Sequence, residues 1–224
     1  MNNEPKTFDL DFISLESISD YYIFKFNKPK DLLFKEGQYG IFKHIDKEII
    51  GRKVRAFSFA STVDDSFLRI GTKIINEPSD FKDKLRKFKL GDKISVNGPV
   101  GNFLFNHDQH AVFIAGGIGI TPIISILNSF KSIEIKKDIN LIYSELNQDY
   151  PFKEEIDEIK NLNTDYIYGI DDTIKAVTDY CEKYSNNAIY YMAGSPSFIT
   201  SLRELLLKNE INPKNIIFDQ FIGY

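Results

Sequence analysis

The stretch from Ala111 to Pro122 restricts the fold more than any other part of this chain. Ala111-Val112-Phe113-Ile114-Ala115 runs directly into Gly116-Gly117-Ile118-Gly119-Ile120-Thr121-Pro122. A short apolar run of this kind predicts a buried strand. The glycines allow a sharp turn and a close approach of backbone to a ligand. Thr121 is a candidate helix cap and Pro122 suits a first helical turn. A strand, a glycine-rich turn and a helix start together present free N–H groups and a partial positive charge to an anion such as a pyrophosphate. The spacing is neither Gly-x-Gly-x-x-Gly nor the phosphorylating P-loop pattern, and tight strand–helix packing by itself would also explain these glycines.

The rest of the chain divides on either side of residue 106. Before it, β-favouring runs follow one another: Phe8 to Phe12 in alternation with aspartates, Tyr22 to Phe26, Tyr39 to Phe42, Val54 to Ala60, Phe67 to Ile75 and Lys93 to Val96. Turn signals separate them, among them Asn27-Lys28-Pro29, Asp64-Asp65 and Asn97-Gly98-Pro99, and one helical stretch carries Phe81, Leu85 and Phe88. Short strands at this spacing predict an antiparallel barrel or sandwich over 1–106. From 107 to 224 strands alternate with helices, the pattern of an α/β domain with a doubly wound parallel sheet. One of those helices is expected to bury Ile174, Val177, Cys181 and Tyr184.

Composition removes several function classes. With Lys plus Arg at 28 against Asp plus Glu at 32, the net charge is −4, which gives no basic excess for general nucleic-acid binding. The single cysteine, Cys181, excludes an internal disulfide and a four-thiolate iron–sulfur cluster, and it is expected to be core. The three histidines show no metal-ligand spacing. No run is long and apolar enough for membrane insertion, and Met1 to Lys6 is not a signal peptide, so the expected location is cytoplasmic.

Several segments, in order, resemble the motifs of the ferredoxin–NADP reductase superfamily. Gly116-Gly-Ile-Gly-Ile-Thr-Pro122 looks like its Gly-Gly-x-Gly-x-Thr-Pro. Arg55-Ala56-Phe57-Ser58 resembles its Arg-x-Tyr-Ser, and Gly98-Pro99-Val100-Gly101-Asn102-Phe103 its Gly-Pro-x-Gly-x-Phe. Ala193-Gly194-Ser195-Pro196-Ser197-Phe198 resembles Cys-Gly-Pro-x-x-Met, and Asp219-Gln220-Phe221-Ile222-Gly223-Tyr224 resembles a Glu-x-Phe-x-Gly-Tyr ending. The resemblance implies a Greek-key FAD-binding barrel over 1–106 and an NAD(P)-binding domain over 107–224. It implies an oxidoreductase that moves hydride from NADH or NADPH to FAD and passes electrons to a separate acceptor.

The resemblance also implies residue roles. Arg55 would pair with the FAD pyrophosphate, for which a guanidinium is a planar fork of donors. Ala56 lies in the same flavin segment. Phe57 would lie against the flavin or its ribityl chain, and Ser58 would place its hydroxyl near flavin N5. Thr72, Lys73 and Ile74 occupy the next flavin-contacting strand. Ser79, Phe81 and Lys82 begin the barrel helix that receives the pyrophosphate, although the glycine common before that serine is missing. Tyr224 would stack on the isoalloxazine face. Gly116, Gly117, Gly119, Thr121 and Pro122, with Gly194, Ser195 and Pro196, would hold the nicotinamide dinucleotide. Ala193 replaces a frequent cysteine beside the hydride path, and Asp219, in place of Glu, is a candidate for tuning proton delivery. Glu145, in Ser144-Glu145-Leu146 after the second α/β strand, suits the ribose diol of NADH and repels a 2′-phosphate. Ser144 and Lys153 could instead hold that phosphate, so both nucleotides stay open. The expected acceptor is a ferredoxin or flavodoxin. Free flavin as substrate is the alternative, and a flavin-binding or redox-sensing module without turnover is the alternative of another class.

Overall fold

The computed structural model describes residues 5–131 and 136–221, and two compact units divide the chain, Met1–Leu104 and Phe105–Tyr224. Tyr224 lies outside the described residues.

The first unit is an antiparallel sheet of six strands: β1 (Lys6–Ile18), β2 (Tyr21–Asn27), β3 (Tyr39–His44), β4 (Val54–Ser58), β5 (Phe67–Lys73) and β6 (Lys93–Val100). Their order across the sheet is β4-β3-β6-β1-β2-β5. The two edges, β4 and β5, meet at a single antiparallel bridge, Phe59↔Ile70, beside a hydrogen bond of 2.8 Å from the Ala60 N–H to the Arg69 carbonyl. The sheet therefore curls into a barrel with one weakly joined seam. Its inside is filled largely by phenylalanine: Phe24, Phe26, Phe42 and Phe59 are fully buried, together with Leu10 and Leu68. Burying each such ring contributes about 1.5–3 kcal/mol, which allows a small barrel to hold without disulfides. A short helix, α1 (Asp80–Leu85), caps this core with Phe81 and Leu85.

The turn expected at Asn97-Gly98-Pro99 is instead the continuation of β6. Gly98 pairs with Lys6 of β1, and a Cβ there would lie 3.3 Å from the Gly40 backbone. The pairing of β3 with β6 shifts between Tyr39 and Ile41, so Pro99 sits at a bulge where its missing N–H is tolerated. The glycine marks a close crossing of strands, and the strand bends there without ending.

The second unit is a parallel sheet of five strands: β7 (His110–Gly116), β8 (Ile139–Glu145), β9 (Leu162–Tyr168), β10 (Ala188–Gly194) and β11 (Ile216–Gln220). Their order, β11-β10-β7-β8-β9, is that of a doubly wound dinucleotide-binding sheet. The helices are α2 (Ile120–Ser129), α3 (Lys153–Asp157), α4 (Ile170–Tyr184) and α5 (Pro196–Lys208). The buried face of α4 is Thr173, Val177, Cys181 and Tyr184, while Ile174 is 38 % exposed. Steps of four and three residues from Thr173 to Tyr184 define that stripe, and Ile174 falls on its flank. Burial pushes the Cys181 thiol up to about 11, which keeps it protonated and unreactive.

Candidate functional site

In the first unit the candidate residues converge on the seam of the barrel. Beyond the Phe59↔Ile70 bridge, the edges carrying Arg55 to Ser58 on β4 and Gly71 to Lys73 on β5 form no ladder with each other among the described residues. Their facing backbone groups are the kind of donors and acceptors that a polar ligand can take up. Helix α1 spans this opening. The Lys82 ammonium donates to the Lys73 carbonyl at 2.9 Å, and the Arg55 guanidinium lies 5.6 Å from the centre of the Phe81 ring.

Two cations therefore stand together at one end of the seam. Arg55 Nη1 donates to the carbonyls of Arg52 at 2.8 Å and Val54 at 2.9 Å. No carboxylate pairs with Arg55 among the described residues. Burial, and after it the charge of Arg52, lowers the guanidinium from its ordinary value. Burial, and after it the charge of Arg55, pushes Lys82 down to about 8. Burial is the first cause of both shifts, and the added positive charge of a neighbouring arginine in each is what an anion would offset. Ser58 is buried at the end of β4 opposite Tyr39, and Thr72 is buried on β5. Ile74 is buried just past β5, Ala56 is exposed, and Ser79 stands exposed before α1.

Phe57 is 7 % exposed, its ring 5.5 Å from Phe42 and 6.1 Å from Phe81. Alternation along β4 puts Arg55, Phe57 and Phe59 on one face, and at the position of Phe57 that face is closed by α1.

In the second unit the candidates gather where the strand order reverses, at the C-terminal ends of β7 and β10, the usual place for a ligand in such a sheet. Gly116 and Gly117 follow β7, and Gly117 has φ 54° in the left-handed region. Gly119 lies so close to β10 that a Cβ would collide with the Ala193 carbonyl. A Cβ on Gly116 or Gly194 would meet the Phe198 ring at 2.8 and 2.9 Å. Three of these glycines thus serve close packing between the two loops, which leaves Gly117 as the one whose conformation itself requires glycine. Thr121 does not cap a helix. It is 1 % exposed within α2, and its hydroxyl donates backwards to the Ile118 carbonyl at 3.0 Å. A short 3-10 turn over Gly117–Gly119 moves the helix start ahead of it, and Pro122 remains in the first turn of α2. Ser195 does cap α5, accepting from the Phe198 N–H at 3.3 Å with Pro196 next. Asp219 on β11 lies in register with Ala193 on β10, beside the same switch point.

At the far end of this edge, Glu145 closes β8. Its carboxylate accepts from the Leu146 N–H at 2.8 Å. The Ser144 hydroxyl lies 2.7 Å from that of Thr173 on α4, and Lys153 forms an ion pair with Asp157 at 2.6 Å. Sequence reasoning missed Thr173 because its partner is 29 positions away and only the sheet brings the two together.

No family model matches the chain. It is 26 % identical over 230 residues to a flavohemoprotein of Bacillus subtilis, covering 92 % of this chain and 56 % of that protein. It is 23 % identical over 228 residues to a component of the Na(+)-translocating NADH-quinone reductase of Haemophilus influenzae, covering 88 % of this chain and 55 % of that one. Among solved structures, a ferredoxin-NADP+ reductase from Plasmodium falciparum superposes with a TM-score of 0.83 at 18 % identity over 96 % of both chains. This chain has the fold of that ferredoxin-NADP+ reductase. A ferredoxin reductase of carbazole 1,9a-dioxygenase has the same TM-score, 0.83, at 19 % identity, over 97 % of this chain and 70 % of that one. The chain spans about half the length of the curated relatives it matches, 56 % and 55 % of the two named above. Among the described residues no helix is long and apolar enough to cross a membrane.

Proposed function

We propose that this chain is a member of the ferredoxin–NADP reductase superfamily, an FAD-dependent NAD(P)H oxidoreductase that passes electrons to a separate acceptor of the ferredoxin or flavodoxin kind. The observation that carries the reading is the meeting of two cations at the barrel seam, Arg55 5.6 Å from the centre of the Phe81 ring on α1 and the neighbouring Lys82 donating to the Lys73 carbonyl of β5 at 2.9 Å. FAD fits this donor set: its pyrophosphate would bring negative charge beside the two cations, and the edges of β4 and β5 that form no ladder with each other offer backbone groups to its polar portions. Bound FAD would supply the hydride-accepting and electron-carrying chemistry. The chain's own residues do the rest. Arg55 and Lys82 hold the anion, Ser58 presents a hydroxyl at the end of the flavin strand, and Thr72 to Ile74 border the slot. In the second unit, Gly116 to Gly119 and the start of α2 hold the dinucleotide pyrophosphate, while Gly194 to Pro196 line the other side of the switch point. Asp219 is positioned beside Ala193 to influence a proton near the nicotinamide end.

The test is reconstitution. The purified chain mixed with FAD is expected to retain a yellow chromophore through gel filtration, and NADH or NADPH is expected to bleach it without oxygen. Reduced protein is then offered ferredoxin, flavodoxin and free FMN in turn. A chain that retains no FAD, or a retained flavin that neither nucleotide bleaches, overturns the reading. Reduction of free FMN alone would make it a flavin reductase.

A further inference from the structure

We infer that the outer edge of β9 is where a second copy of this chain docks. Two β9 strands pair antiparallel across a two-fold axis, and the two α4 helices lie side by side on one face of the joined sheet. The inference is independent of the flavin and nucleotide readings.

β9 closes one side of the parallel sheet, and among the described residues no strand pairs with its outer edge. It pairs with β8 residue for residue from Leu162 to Tyr168, with no register shift, and it contains no proline. Bulges, prolines and projecting charges are the usual means of blocking such an edge. The charge in the middle of this strand, Asp165, is engaged by the Tyr180 hydroxyl of α4, which donates to it at 2.9 Å. The edge therefore presents a regular row of backbone N–H and C=O groups to another strand, and with α4 it forms an open groove.

The charge pattern on the groove side of α4 selects the occupant. Asp172, Lys175, Asp179 and Lys183 follow one another there, all exposed. Along the chain their signs run minus, plus, minus, plus. An antiparallel copy reads plus, minus, plus, minus, so each charge meets its opposite. Asp172 faces Lys183 of the second copy, and Lys175 faces Asp179 of the second copy. Parallel alignment would oppose like charges at every position. The packing of α4 admits this pairing. The helix reaches β8 through Thr173, 2.7 Å from the Ser144 hydroxyl, and β9 through Tyr180, so it lies over the gap between these strands. A two-fold axis just beyond β9 then separates the two helices by about two strand spacings, roughly 10 Å, close to the usual packing distance of helices. The bond from Tyr180 to Asp165 ties the middle of α4 to the middle of β9, so one axis serves both elements. Strand pairing centred on Tyr166 sets Asp165 opposite Ile167 of the second copy and keeps it from facing its own like charge. Exposed ion pairs contribute little, so the paired edges supply the affinity and the charges fix the orientation.

The test is sedimentation equilibrium of the full chain over a wide concentration range, with hydrogen exchange of the β9 amides followed in parallel. Wild type is expected to reach the mass of two copies, and its β9 amides to exchange more slowly as it does. Lys175→Glu is expected to weaken the dimer at least fivefold, because the axis sets the new carboxylate against Asp179 twice. Adding Asp179→Lys to it is expected to bring the affinity back to within threefold of wild type, since the exchanged charges again face each other. Adding Glu182→Lys instead restores the net charge but not the pattern, at an exposed position outside the groove, and is expected to leave the dimer weak. A wild type that stays monomeric overturns the inference and leaves the groove to an extended segment of a different protein. A dimer indifferent to Lys175→Glu, or one whose β9 amides exchange as in the monomer, places the interface elsewhere and overturns it too. Equal recovery with Asp179→Lys and with Glu182→Lys would reduce the effect to net charge and overturn the antiparallel pairing.

Discussion

The Lys82 ammonium on α1 donates to the backbone carbonyl of Lys73 on β5 at 2.9 Å, while the charge of Arg55 on β4 weighs on the same ammonium. One short helix thereby ties both edges of the barrel seam together and gathers its two cations. Titration of Lys82 should report on the seam. Its folded value, about 8, lies below the ordinary 10.5, so the unfolded chain holds a proton that the fold gives up between those limits. Ligand-free stability is therefore expected to rise with pH across that window. FAD affinity should move the opposite way, falling as pH rises through 8 and the ammonium loses its charge. Fluorescence titration of FAD from pH 7 to 9.5 measures this. A flat profile in wild type, or an equal slope in Lys82→Met, would remove Lys82 from the pyrophosphate site.

Arg55→Ala should weaken FAD retention. A charge-assisted pair contributes about 1.5–3 kcal/mol, equivalent to roughly a 10- to 150-fold change in affinity. The same titration at pH 7 checks it, and an unchanged affinity would place the pyrophosphate elsewhere.

Ser58→Ala should slow bleaching of the flavin by nucleotide more than it weakens FAD binding, because Ser58 lies at the end of β4 and away from the cation pair. Rapid-mixing absorbance gives the rate and equilibrium titration gives the affinity. If both parameters fall together, the hydroxyl is a strand contact only.

Gly119→Ala tests the switch point. The added carbon would collide with the Ala193 carbonyl, and backbone on both sides has to shift. A loss of about 1–3 kcal/mol is expected from overpacking of this kind, together with loss of ADP-ribose binding. Urea unfolding and calorimetry read the two effects. Wild-type stability and binding in this variant would show that the loops are not in such close contact.

His44 gives the barrel a sensitivity to acid. Its ring is 4 % exposed between Phe81 and Phe88, with Nε2 3.0 Å from the Phe81 carbonyl and Nδ1 buried without a hydrogen-bond partner among the described residues. Burial lowers its value below the usual 6.5, outweighing the Phe81 carbonyl and Asp80, while Lys47 and Lys84 act in the same direction as burial. Stability from this neutral ring is complete above about pH 6.5 and is lost as pH falls through that value towards the lower folded one. Thermal melts of wild type and His44→Gln from pH 5 to 7.5 should therefore diverge on the acid side. Parallel curves would exclude His44 as the source of any acid lability.

The sequence by itself determined the division into a β unit and an α/β unit, the strand and helix order of each, and the segments that gather at the two sites. These follow from local physics: alternation of apolar residues, turn chemistry and glycines next to a helix start depend on neighbours a few positions away. What only the tertiary structure decided involves distant partners. The Asn97-Gly98-Pro99 signal is locally a turn, and the crossing of Gly98 over Gly40 makes it part of a strand. The packing of Phe57 against Phe81 of α1 joins residues 24 positions apart, which no local pattern announces. Thr121 reads as a cap until the 3-10 turn ahead of it starts the helix sooner. Ser144 shows nothing in the chain of its partner Thr173, whose hydroxyl parallel pairing of β7, β8 and β9 with α4 brings to 2.7 Å. A hydrogen bond between residues so far apart leaves no periodicity in the chain, so only the assembled sheet specifies it.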